Sequence, residues 1–179
     1  MGWDQRIRFM FANLVLLWAI ELVNSLLNHH LVSFGVLPRQ FSGLPGVLYA
    51  TWLHGSIIHL LLNTVPLFVM GLFMLSDGVD QYIKRTLMIA LLSGLIVWVI
   101  GRFAYHVGAS MIIFGFFGFL VFRALYQRTL STVLVAILIV FLYGGIIWGI
   151  FPQQAYISWE GHLAGLISGI LTAKFTVKS

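Results

Sequence analysis

The sequence predicts an all-α membrane protein, a bundle of six transmembrane helices with both termini in the cytoplasm. Three observations carry that expectation. Of the 179 residues, 60% are hydrophobic and only 8% charged, whereas about a quarter are charged in soluble domains. Apolar stretches of the length a hydrocarbon core demands, about 20 helical residues, recur at 10–28, 53–75, 83–101, 110–127, 132–150 and 159–177. The basic residues divide unevenly between the two sides these spans define. Arg6, Arg8, Lys84, Arg85, Arg123, Arg128, Lys174 and Lys178 fall on the side of the termini, and only Arg39 and Arg102 on the other. Cytoplasmic loops carry the excess of Lys and Arg, which places the termini inside.

The first span follows WDQRIRF and has no small-residue cleavage site, so it is expected to be a retained helix and not a signal segment. Glu21 lies within it, with Asn24 and Asn28 expected on the same face as structural helix–helix hydrogen-bonding groups. The second span enters from the outer side through TWLHGSIIHLLLNTVPLFVMG, residues 51–71. His59 and Asn63 are four apart and share one face, and His54 is expected above them near the helix start. Asp77 and Asp80 fall in the cytoplasmic loop before the third span.

The fourth span has an apolar stretch of only residues 110–122, roughly 20 Å at 1.5 Å per residue. With Arg123 and Arg128 at the inner surface, its N-terminus lies about 10 Å below the outer edge of a ~30 Å core. Loop 102–109 must dip to meet it, which is tolerated only in a protein interior or beside a wet cavity. The fifth span is apolar throughout. The sixth begins SWEGHLAGLISG, residues 158–169, with His162 in its first turn. Gly161, Gly165 and Gly169 form a stripe that admits another backbone at close range. No second domain, linker or repeat is visible, and residues 1–179 read as one membrane domain.

The topology sends Ser110, His162, His59 and Asn63 to the same outer leaflet, where an outward-opening, water-filled cavity is the simplest arrangement. A serine at a helix N-terminus is by itself most often a cap, and Asn63 alone is as readily helix glue. Polar groups are costly in lipid, however, and four gathered in one leaflet point to a site. A serine nucleophile needs a base and oxyanion donors. His162 is the candidate base, and His59, Asn63 and the Ser110 amide are candidate donors. Glu160 is two residues before His162 and points elsewhere, so a Ser–His dyad is the economical proposal. The chain has no cysteine, which excludes disulfides and a cysteine nucleophile. The net charge of +5 reflects loop topology and is no nucleic-acid footprint.

These residues resemble the rhomboid intramembrane serine proteases over about residues 10–175. The matching elements are His54-x4-His59-x3-Asn63, Gly108-Ala109-Ser110 and Gly161-His162-x2-Gly165-x3-Gly169. The segment GVLPRQFSGLPGVLYATWLHGSIIHLLLNTVPL also looks like the first-loop and second-helix signature of bacterial members. The resemblance implies Ser110 as nucleophile and His162 as base. It implies His59, Asn63 and the Ser110 amide around the oxyanion, with His54 structural at the rim. It implies a six-helix fold, no metal or cofactor, and single-pass membrane proteins as substrates, cut near or within the membrane. With the site in the outer leaflet, cleavage is expected there, and the excess of basic residues on the terminal side fits a bacterial inner membrane. Oligomeric state is left open. Two positions depart from the family pattern. Met111 stands where Gly-x-Ser-Gly has its last glycine, where it would crowd the scissile carbonyl or the oxyanion donors. Phe114 stands where a tyrosine often packs on the histidine, and it keeps the ring.

One alternative is an inactive rhomboid-like protein that binds transmembrane helices without cutting them. A transporter or channel would continue its polar residues inward, but the inner halves read LFVMGLFM, FFGFLVF and ISGILTA. A metal site from His54, His59 and His162 has no HExxH helix and no nearby carboxylate ligand, and ranks last.

Overall fold

The computed structural model describes residues 1–152 and 157–177, with seven α-helices and no strand among the described residues. Lys178, counted above on the terminal side, lies outside the described residues. Helix α1, Trp3–Leu26, begins about two turns ahead of the expected 10–28. Gln5 Oε1 accepts the Gly2 N–H at 3.2 Å and Asp4 pairs with Arg8, so the polar first turns fold beyond the apolar stretch. The helix stops at Leu26 because Asn28 and His29 turn left-handed, at φ 52° and 59°. Asn28 therefore leaves the face it was expected to share with Glu21 and Asn24.

The connection 27–56 is built of short 3-10 turns and a one-turn helix, α2, Gly46–Tyr49. Helix α3, Ile57–Met74, starts four residues later than the expected 53–75. Ser56 caps it by accepting the His59 N–H at 3.1 Å, and a capping serine has non-helical backbone. His54 consequently precedes the helix instead of riding on it. Helix α4, Val79–Ile100, is bounded by Gly78 and Gly101, and α5 runs Ser110–Gln127. Helix α6, Leu130–Tyr143, gives way to a 3-10 stretch over Gly144–Ile150. The pair Gly144-Gly145 loosens the expected 132–150 helix at that point. Helix α7, Trp159–Thr176, is capped by Ser158, whose Oγ accepts the Gly161 N–H at 3.2 Å.

Five of these helices are long and apolar enough to cross a membrane: α1, α3 extended to Asp77, α4, α5, and α6 extended to Ile150. The chain is an integral membrane protein. Helix α7 has 18 residues but carries Glu160, His162 and Lys174.

Helix α5 forms the centre, and every residue from Ser110 to Leu120 is buried. Helices α7, α6, α3 and α4 surround it, and α1 packs outside on α3. The closest contact is α5 with α7, and glycine permits it. A Cβ at Gly165 would fall on the Met111 carbonyl, and one at Gly169 on the Gly115 carbonyl. The bare face of Gly115 receives the Ile89 side chain of α4. At the far end of the bundle Asp77 accepts from Arg85 at 2.5 Å and Arg123 at 2.8 Å, tying α3, α4 and α5 together. Helix α6 presents Leu130, Leu134, Ile137 and Phe141 outward, all exposed, as a lipid-facing helix does.

Candidate functional site

Four elements bring the sequence-selected residues together. Ser110 is the first residue of α5 and is buried. Gly108, two residues earlier, takes φ +127°, a conformation that favours glycine. A side chain there would also collide: a Cβ would lie 2.9 Å from His59 Nε2 and 3.5 Å from Ser110 Oγ. The His59 ring edge and the serine hydroxyl thus converge on the bare side of Gly108.

Asn63 lies one turn below His59 on the inward face of α3 and is buried. Its Nδ2 has no hydrogen-bond partner among the described residues. A buried, unpaired amide donor costs on the order of 1–3 kcal/mol, so its retention on the buried face of α3 requires an explanation.

His162 lies flat on Phe114, with ring centroids 4.3 Å apart and planes 7° from parallel. Phe114 is one turn along α5 from Ser110, so the stack places the imidazole over the serine end of that helix. The Nδ1–H of His162 donates to the Gly149 carbonyl at 2.9 Å. A neutral imidazole that donates from Nδ1 keeps its lone pair on Nε2. No hydrogen bond joins Ser110 to His162 among the described residues.

His54 is fully buried and stands edge-on to His59 at 5.1 Å. Its Nε2 accepts the Ala109 N–H at 3.2 Å, immediately before Ser110. Burial, with His59 adding to it, holds the His54 pKa down to about 3, so the ring is neutral. Its carbonyl accepts from Asn24 Nδ2 at 2.8 Å, and Asn24 in turn donates to Glu21 Oε2 at 3.2 Å. Glu21 also bonds His29 at 3.1 Å. The carboxylate thus supports the His54 segment from α1 and stands apart from His162.

Met111 does not lie free beside the serine. It is 2% exposed and packs with Val47, Val97 and Ala164. Its Cγ and Sδ lie 3.2 and 3.6 Å from where a Gly161 Cβ would be, so the side chain fills the α5–α7 seam. The Gly161, Gly165 and Gly169 stripe faces that same seam. Residues that the sequence alone did not single out include His106, Ser158 and Gly149. The position of His106 four residues before Ser110, and of Ser158 four before His162, was the available signal.

A cavity of about 350 Å³ lies elsewhere, between α1, α4 and the start of α5, lined by Leu17, Tyr82, Leu87, Ala109 and Ile112. Its lining is mainly apolar and includes none of Ser110, His162, His59, Asn63 or His54.

Residues 41–179 match the rhomboid domain. The chain belongs to the rhomboid family. Among related proteins, an uncharacterized protein of Mycobacterium bovis and one of Mycobacterium tuberculosis are each 36% identical over 167 residues, covering 88% of this chain and 70% of theirs. One from Mycobacterium leprae is 31% identical over 185 residues, covering 95% of this chain and 73% of its own. Rhomboid proteins are in general intramembrane serine proteases, and the family also holds relatives that do not cleave.

Proposed function

We propose that this rhomboid protein is an intramembrane serine endopeptidase using Ser110 and His162, and that residues 1–179 form one domain. The observation that carries this is the fixing of His162. Its ring is stacked on Phe114 and its Nδ1–H is held by Gly149, which leaves Nε2 free as the base at the serine end of α5. Ser110 Oγ attacks the scissile carbonyl while His162 Nε2 takes its proton. The oxyanion accepts from the Ser110 amide, from His59 and from Asn63 Nδ2, a buried donor with no partner among the described residues. His162 then protonates the leaving amine as the C–N bond breaks. Water, deprotonated by His162, hydrolyses the acyl-enzyme. Hydrogen bonds between nucleophile and base are often long in substrate-free enzymes and tighten in the complex, which suits an unjoined Ser110 and His162.

Helix α7 is the sixth span, at about 27 Å for 18 residues. Its buried polar groups Glu160, Ser168 and Thr172 are covered by protein. Both termini are cytoplasmic, the site opens to the outer leaflet through a wet cavity, and the membrane is the bacterial plasma membrane. Substrates are single-pass membrane proteins. The missing Ser110–His162 bond favours one other reading, a rhomboid protein that holds transmembrane helices without cutting.

The test is labelling of the detergent-solubilised protein with a fluorophosphonate, beside Ser110→Ala and His162→Ala. Labelling of the parent that both substitutions abolish is the expected result. An unlabelled parent that still captures a transmembrane peptide would establish the non-cleaving reading.

A further inference from the structure

We propose that His106 is a positioning residue of this site, setting the first turn of α7, and with it His162, against the segment that leads into Ser110. This rests on the Ser110–His162 reading above.

His106 is 1% exposed and is gripped by three elements. Its backbone pairs with Val36 through hydrogen bonds of 2.9 and 3.1 Å, fixing it to the long connection before α3. Its Nε2 lies 3.0 Å from the Arg102 carbonyl at the end of α4. A carbonyl only accepts, so Nε2 carries the proton and Nδ1 carries the lone pair. That lone pair faces Ser158 Oγ at 2.6 Å and accepts its proton.

Ser158 is where the two halves of the site meet. Its hydroxyl donates to His106 and accepts the Gly161 N–H at 3.2 Å, while its carbonyl accepts the N–H of His162 at 3.1 Å. One residue therefore joins the loop four positions before the serine to the turn that carries the base. A second tie runs parallel to it. The Arg102 backbone N–H donates to Glu160 Oε1 at 3.3 Å, the Arg102 guanidinium lies 3.6 Å from the same oxygen, and it also donates to the Ile157 carbonyl.

These ties supply what the glycine stripe does not. Backbone contact at Gly165 and Gly169 sets how closely α5 and α7 approach, but non-directional apolar packing across the seam resists sliding and rotation weakly. The His106–Ser158 bond acts at the top of the seam, where either motion would carry Nε2 of His162 away from Ser110. Burial also pushes the His106 pKa down, keeping the ring in the neutral form that accepts from Ser158.

The experiment compares His106→Ala, His106→Asn, Ser158→Ala and the double alanine variant. Fluorophosphonate labelling rate is measured beside amide hydrogen exchange at Gly161 and His162. Asparagine keeps an acceptor near the Nδ1 position and lacks the ring. Each alanine variant should label about 100-fold more slowly, the scale of an ångström's misplacement. In peptide cleavage kcat should fall with KM unchanged. The double variant should be no slower than either single one, and His106→Asn should recover most of the loss. Parental rates in the single variants, or additive losses in the double, overturn the proposal. If His106→Ala does not fold, Ser158→Ala carries the same comparison, because it leaves the Val36 and Arg102 contacts in place. If the parent itself does not label, the catalytic reading fails, and exchange alone decides. Faster exchange at Gly161 and His162 in His106→Ala but not in His106→Asn upholds the positioning role, and unchanged exchange overturns it.

Discussion

Replacing Gly169 by alanine adds a single methyl group, and the structure says where it must go. The new Cβ would lie 2.7 Å from the Gly115 carbonyl carbon and 2.9 Å from its Cα, with the carbonyl oxygen closer still. Ordinary contact begins at 3.4 Å, so the carbon alone demands about 0.7 Å of retreat by α7. These atoms are helical backbone and cannot rotate aside as a side chain end would. Overpacking of this kind costs about 1–3 kcal/mol. The same retreat moves His162, two turns up the helix, and a shift near 1 Å costs on the order of 100-fold in rate. Thermal unfolding in detergent, read beside the labelling rate, measures both effects. Gly55→Ala serves as the control, since among the described residues nothing lies within 4 Å of a Cβ there. A Gly169→Ala protein as stable and as quickly labelled as the parent would show that α5 and α7 do not touch backbone to backbone, and would refute the packing described here.

Four further outcomes are expected. Asn63→Ala should lower kcat about 100- to 1,000-fold, the range for one oxyanion donor, with KM unchanged in a peptide-cleavage assay. Met111→Gly should destabilise the fold by about 2–5 kcal/mol as a large-to-small change in a packed seam, and should not raise the labelling rate above the parent's. His54, neutral when folded with a pKa of about 3, titrates near 6.5 when unfolded. Its contribution is therefore complete above pH 6.5 and is lost at about 1.4 kcal/mol per unit as pH falls towards 3. His54→Gln should flatten the fall in melting temperature between pH 7 and 5. A substrate helix must open to expose its scissile carbonyl, so leucine in place of small or helix-breaking residues near its outer end should slow cleavage on a gel assay.

What the sequence made legible is local and periodic. The start of α5 at Ser110 and of α7 at Trp159 could be read from breakers and hydropathy, and so could the shared face of His59 and Asn63. The α3 start could not. Leu53 and His54 continue the apolar run, and only the capping geometry of Ser56 separates them from the helix. Asn28 fails for a related reason: helical spacing puts it beneath Glu21, and a left-handed turn two residues after Leu26 takes it away. Spacing from Ser110 was the one sequence signal for His106. Its ties could not be read, because each is a long-range one, to Val36 and Ser158, or lies within an irregular loop, to Arg102. The direction of the Met111 side chain is likewise set by the space opposite Gly161, which no local pattern encodes.

Helix α7 is the last of the described helices to leave the ribosome and the least suited to lipid by itself. Glu160, Ser168 and Thr172 are buried in the finished bundle against protein, and a helix that carries them meets a barrier in bare hydrocarbon. A finished α5, with Gly118 bare opposite Leu166 and Ile170, gives that helix a place to dock. On the six-span reading, synthesis therefore has a built-in delay. On the reading proposed above, the helix that carries Ser110 is in the membrane while His162 is still being translated, and the two come together only when α7 docks.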